Sequence, residues 1–251
     1  MGAAVRCLLV ALGIAGMAVA GPGTATWAAV SSPSTSFPVA KVQPAQREAV
    51  GVGSPVLVAF AKPIADRPTA EKTIHFASSR TPTGRFVWLD DNVVRWEPAG
   101  FWPAHSRVTV LAGGFSTDFN TGAAVVGVAD ISHHTFTVSI DGQVARQMPA
   151  SMGKPSRPTP VGNFSVLEKD RSVVMDSRTI GIPLSSPEGY RITAQYADRI
   201  TNSGVYVHSA PWSVDSQGNA NVSHGCINLS PDNAAWYFNT VNVGDPVIVQ
   251  P

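Results

Sequence analysis

Strand-like segments recur along this chain, and turn residues close each of them. Val56 to Phe60, Thr73 to Phe76, Arg85 to Trp88, Val93 to Trp96 and Arg107 to Val110 are rich in β-branched and aromatic side chains. Between them lie Thr81-Pro82-Thr83-Gly84, Asp90-Asp91-Asn92 and the stretch from Pro98 to Pro103. β-Branched and aromatic residues fit a pleated surface, whereas glycine, proline and aspartate supply turn geometry. With 22 Gly and 20 Pro in 251 residues, many short strands suit this chain better than long helices. Short strands at this spacing predict a β-sandwich. Trp88, Trp96 and Trp102 are most simply its core and edge packing, with a carbohydrate-stacking platform as the alternative.

Gly113-Gly114 through Gly127 is a small-residue stretch that marks a boundary. A second β-rich unit follows it. Thr135 to Ile140, then Asp141-Gly142, then Gln143 to Arg146 predicts a hairpin, because Asp-Gly suits a tight turn with positive φ. Pro155, Pro158 and Pro160 mark a loop, and Phe164 to Leu167 and Ser172 to Met175 read as strands. In Gly204-Val205-Tyr206-Val207-His208 the alternation sends Tyr206 and His208 to one face and Val205 and Val207 to the other. One helix is predicted, with Ser230 as N-cap, Pro231 in its first position, Asp232 in its first turn, and Ala234 to Thr240 beyond. Val247 to Val249 reads as a last strand. The expected fold class is mainly β. The expected boundaries are a signal peptide or N-terminal anchor over 1–29, a Ser/Pro-rich tether over 30–46, a sandwich over 47–122 and the second unit over 123–251.

The charge balance narrows the function. Eighteen basic against seventeen acidic residues give +1, which lacks the basic excess of a nucleic-acid binder. Arg6 precedes an apolar run from Cys7 to Ala20, which reads as an export signal. The run is short for a bilayer span, which needs about 20 apolar residues; an uncleaved anchor is the alternative. Cleavage would remove Cys7 and leave Cys226 alone. A lone thiol in an exported protein has no disulfide partner, so either the thiol is used chemically or it is a small buried apolar residue.

The neighbours of Cys226 favour use. His208-Ser209-Ala210-Pro211-Trp212 and Ser223-His224-Gly225-Cys226-Ile227-Asn228 supply two imidazoles and a glycine around one thiol. The thiolate is the nucleophile, and an imidazole within reach can take its proton and later return one to a leaving amine. Gly225 permits close approach, and the backbone N–H groups of Gly225 and Cys226 could stabilise an oxyanion. A zinc site from His208, His224 and Cys226 lacks a clear fourth ligand. No metal or cofactor is expected. Ser151-Met152-Gly153-Lys154 fits the Ser-x-x-Lys pattern of serine acyl-enzymes, but Gly153 and Pro155 argue against the helix which that chemistry needs. Asn221-Val222-Ser223 is a glycosylation sequon by pattern only.

His, fourteen residues, then Ser-His-Gly-Cys-Ile-Asn resembles the signature of the L,D-transpeptidase catalytic domain. Thr159-Pro160-Val161-Gly162-Asn163-Phe164 is similar to that family's loop ahead of the catalytic sheet. The preceding sandwich is similar to the immunoglobulin-like domain of its actinobacterial members. The resemblance implies Cys226 as nucleophile, His208 as general base and acid, and the Ser209 carbonyl as the group that orients His208. It implies that His224, Gly225 and Asn228 shape the loop, that Tyr190 lies near the oxyanion, and that Met175, Tyr190, Ser203, Trp212 and Asn228 contact substrate. It further implies peptidoglycan stem tetrapeptides as donors, a thioester intermediate, loss of D-alanine, a third-residue to third-residue cross-link, and acylation by carbapenem-type β-lactams. Water as acceptor would make the enzyme an L,D-carboxypeptidase, and a fold without activity would leave a wall-binding protein. The expected location is the cell wall or periplasmic space.

Overall fold

The computed structural model describes residues 37–251. The signal or anchor expected over 1–29 lies outside the described residues. Among the described residues no helix is long and apolar enough to cross a membrane.

The first part holds β1 (Val39–Gln43), β2 (Ala49–Val50), β3 (Val56–Phe60), a short helix α1 (Arg67–Glu71), β4 (His75–Ala77), β5 (Gly84–Trp88), β6 (Val93–Pro98), β7 (Arg107–Ala112) and β8 (Phe115–Thr121). They form two four-stranded sheets, in the orders β1-β3-β6-β5 and β2-β8-β7-β4. Alternate residues of β3, β6 and β7 are buried, as strands with one face on a core require. Trp96 and Trp102 sit in that core with Phe60 and Phe119. The Trp102 ring meets Phe119 edge-on at 5.7 Å, and its indole N–H donates to the Ser54 carbonyl at 2.9 Å. Burying each such side chain contributes about 2–3 kcal/mol.

One expectation needs correction here. Residues 37–46 are not tether: β1 pairs antiparallel with β3 and buries Val42, while Phe37 packs into the core. Pro38 and Pro44, which flank β1, carry the tether-like composition past Phe37. The stretch from Gly113 to Gly127 holds the break between β8 and β9, as well as β8 itself, a strand that the sequence does not reveal. Polar residues disguise β8, whose inward positions are Thr117, Phe119 and Thr121.

The second part holds β9 (Val125–Asp130), β10 (Thr135–Ile140), β11 (Gln143–Pro149), β12 (Gly162–Ser165), β13 (Glu168–Asp176), β14 (Arg191–Arg199), β15 (Tyr206–Ser209), β16 (Ile227–Leu229), α2 (Pro231–Thr240) and β17 (Pro246–Gln250). One sheet runs β11-β10-β9-β17-β12 and the other β13-β14-β15-β16. Asp141 and Gly142, at φ 50° and 82°, make the hairpin turn between β10 and β11. Helix α2 begins at Pro231 after the N-cap residue Ser230, whose side chain makes no capping hydrogen bond. Tyr237 of α2 is fully buried and meets Phe136 edge-on at 4.9 Å.

The two parts meet along a backbone seam. Gly51 N donates to Val243 O and Gly53 N to Gly244 O, each at 2.8 Å. Asp245, fully buried, accepts from Val52 N and Asn242 N. Gly51 is required here: a Cβ would lie 2.0 Å from the nitrogen of Asp245.

Candidate active site

Strands β15 and β16 run parallel, with Val207 opposite Ile227 and His208 opposite Asn228. Val207 and Ile227 pack into the core, so His208 projects from the other face. Cys226 immediately precedes β16. Gly225, at φ 126°, makes the turn that delivers it, a conformation open to glycine and strained for other residues. His208 and Cys226 line one cavity of about 260 Å³.

The ring Nδ1 of His208 lies 2.8 Å from the carbonyl oxygen of Ser209. A carbonyl only accepts, so Nδ1 carries the proton and Nε2 is left as the acceptor of the neutral ring. His208 is buried, and burial lowers its pKa to about 4 against the opposing effect of the Ser209 bond. Burial likewise raises the Cys226 thiol to about 11, opposed by a hydrogen bond from the backbone of Tyr206. Both groups are therefore neutral at rest near pH 7. The thiol needs a base during attack, and a neutral imidazole is available to act as one.

Met175, Tyr190, Trp212, His224 and Asn228 also line the cavity. Trp212 is 52% exposed, with its ring 5.9 Å from that of His208. Asn228 is buried, and its side-chain amide donates to Ser213 Oγ at 3.1 Å. Burial raises the pKa of the Tyr190 hydroxyl, and a Cys226 thiolate would raise it further, so the phenol stays protonated and able to donate. Ser203 is not part of the cavity lining. It is exposed on the turn before β15, where its hydroxyl pairs with Thr201 at 2.9 Å.

Gly225 differs from the expectation in one respect. Its N–H donates to Ser223 Oγ at 3.1 Å, and that hydroxyl donates to Cys226 O at 2.7 Å. The Gly225 N–H is thus occupied in holding the turn and is not a free oxyanion donor.

Several residues of the site were missed from sequence alone. Ile192, Ser213, Ser216 and Val222 also line the cavity, as does Ser223 of the motif. Thr159, buried, accepts from Gly153 N and donates to Gly225 O, each at 2.9 Å. Asn221 accepts from Met152 N at 2.9 Å and donates to Ile131 O at 3.0 Å, and its Oδ1 also faces His134 Nδ1 at 3.0 Å. The sequon's amide is therefore held by the fold on both its oxygen and its nitrogen. Only Thr159 carried a sequence signal, since it opens the Thr-Pro-Val-Gly segment.

A neutral thiol and a tautomerically fixed imidazole on a common cavity, carried by a β-rich scaffold, are the equipment of a cysteine acyl-transfer enzyme. Comparison with known proteins makes this specific. Residues 124–249 match the L,D-transpeptidase catalytic domain model, and residues 21–113 match the bacterial Ig domain model. The chain is 61% identical over 211 residues to L,D-transpeptidase 1 of Mycobacterium tuberculosis, covering 84% of each. It superimposes on an L,D-transpeptidase from Mycobacterium smegmatis with a TM-score of 0.83 and 62% identity, over 86% of this chain and 100% of that one. It also superimposes on the L,D-transpeptidase LdtMt1 in complex with imipenem, with a TM-score of 0.80 and 60% identity, over 85% and 99% of the two chains. The chain belongs to the L,D-transpeptidase family, with an Ig-like domain ahead of the catalytic domain.

Proposed function

We propose that the protein is an exported cysteine acyltransferase that links the third residues of neighbouring peptidoglycan stems. The observation that carries this reading is the shared cavity of His208 and Cys226, with the imidazole fixed by Ser209. Cys226 gives its proton to Nε2 of His208 as sulfur attacks the carbonyl of the third residue of a tetrapeptide donor. The C–S bond forms and the carbonyl oxygen takes up the negative charge. The Tyr190 hydroxyl and the Cys226 N–H are the donors available to that oxygen. Collapse breaks the bond to D-alanine, whose amine leaves with the proton from His208, and a thioester remains. The side-chain amine of a second stem then loses a proton to His208 and attacks the thioester. The new amide forms, and the thiol is restored.

Export is supported by the N-terminal pattern of Arg6 and the apolar run from Cys7 to Ala20. A location in the cell wall or periplasmic space follows from it, with residues 1–29 as signal or anchor. Acylation by carbapenems is supported by the imipenem complex of LdtMt1; here Cys226 would open the lactam and retain the acyl group. Incubation with a disaccharide-tetrapeptide followed by mass spectrometry tests the reading. A cross-linked dimer that requires Cys226 is the expected product. Released tripeptide alone would make the enzyme a carboxypeptidase, and no reaction would leave a wall-binding protein.

A further inference from the structure

The Ser-x-x-Lys segment, set aside as a nucleophile motif, has a place beside the cavity. It is extended rather than helical, with Ser151 bridged to Asn228 and Gly153 to Ser223. Ser151 is fully buried; its Oγ donates to Ala220 O at 2.7 Å and accepts from Val222 N at 3.1 Å. Lys154 N donates to Ser223 O at 3.0 Å. The backbone of 151–154 is thus a rail along the loop that carries Cys226.

The Lys154 side chain leaves this rail and spans two elements. Its ammonium donates to the Glu188 carboxylate and lies 3.3 Å from Nε2 of His224. Glu188 Oε2 is 4.0 Å from the same nitrogen. An ammonium only donates, so Nε2 accepts and His224 is held neutral with its proton on Nδ1. Glu188 belongs to the segment 181–190, which ends at the cavity residue Tyr190, and the Tyr190 and His224 rings are 5.1 Å apart. Lys154 is 22% exposed and Glu188 48%. The ammonium is therefore partly shielded from water, unlike that of a fully exposed surface pair.

We propose that Lys154 is a positioning residue for acyl transfer, whose ammonium ties segment 181–190 to the His224 side of the catalytic loop and so holds Tyr190 over the cavity. This rests on the cavity being the donor site. The lysine does not meet the reacting atoms; it sets how far the segment opposite Cys226 can open.

The test uses the full chain with Lys154→Met, Glu188→Gln and both together. Each single change is expected to lower kcat/KM for a tetrapeptide donor about fivefold, through kcat more than KM, because Tyr190 donates to the oxyanion. The double variant is expected to be no worse than Lys154→Met, because the two side chains share one tie. Amide exchange in 181–190 should quicken in both single variants, with the unfolding midpoint unchanged. Additive losses, or unchanged exchange in 181–190, would overturn the assignment. Glu188→Gln, at an exposed position, keeps the test decisive if Lys154→Met folds poorly. A wild-type protein that forms no acyl-enzyme would refute the functional reading instead, and the exchange comparison would still test the tie.

Discussion

His208 donates its Nδ1–H to the carbonyl oxygen of Ser209, 2.8 Å away on the same strand, so the backbone does the orienting that a carboxylate does in other triads. A carbonyl fixes the tautomer but adds no negative charge beside the ring. The imidazole is therefore left with the low pKa that burial imposes, about 4.

The pH profile should show this. The neutral base is present above about pH 4, and the thiol stays protonated up to about 11. The rate of acylation by imipenem, followed by intact mass, should be flat from pH 5 to 9 and fall as pH drops through about 4. In His208→Ala, attack waits for direct ionisation of the thiol, so its slower rate should climb with pH toward 11. A wild-type rate rising with a midpoint near 6.5, the ordinary imidazole value, would contradict the lowering of His208 by burial.

The seam between the two parts makes a sharp prediction about stability. Gly51→Ala places a methyl 2.0 Å from Asp245 N, so Val243–Asp245 and Gly51–Gly53 cannot keep their hydrogen bonds. A loss of about 2–4 kcal/mol in denaturant unfolding is expected. Gly100→Ala, with nothing within 4 Å of the new methyl, should change stability by less than about 0.5 kcal/mol. Equal effects of the two would count against the seam.

Asp198 is fully buried, and neither of its carboxylate oxygens has a hydrogen-bond partner. Burial raises its pKa to about 8, with Lys169 lowering it and Asp170 raising it. Its folded pKa lies above the unfolded value, so its contribution to stability is present at low pH and lost as pH rises through about 8. Stability should therefore fall from about pH 6 to about pH 8, by on the order of 1 kcal/mol per pH unit. Asp198→Asn should flatten that slope. A wild-type stability constant or rising over this window would rule the assignment out.

Thr159 braces the catalytic turn from beneath. Thr159→Val keeps the shape and leaves Gly153 N and Gly225 O without their partner, which should cost about 1–3 kcal/mol. Because Gly225 carries Cys226, imipenem acylation should slow as well. An unchanged rate and midpoint would show that the turn holds without this hydroxyl.

What could be read from the sequence follows from the range of each interaction. The turn at Asp141-Gly142, the helix start at Pro231 and the alternation of Val207 and His208 depend on a few adjacent residues, and each has a local signal. The His208 and Cys226 pair was legible as a motif. Strand β14 was not: Arg191, Gln195 and Arg199 break its apolar pattern, and its buried residues Ala194, Ala197 and Asp198 follow no simple alternation. Neither Lys154 with Glu188 nor Thr159 with Gly225 could be paired in advance, because tertiary packing brings them together across 34 and 66 positions. The use of the Gly225 N–H by Ser223 was hidden for another reason: either of two acceptors, a hydroxyl or an oxyanion, would suit the same short sequence.

The most direct test is the intact mass of the full chain mixed with imipenem at neutral pH. One covalent equivalent on the wild-type protein is expected, lost in Cys226→Ala and formed far more slowly in His208→Ala. An adduct that persists in Cys226→Ala, or one that forms at the wild-type rate without His208, would contradict the account.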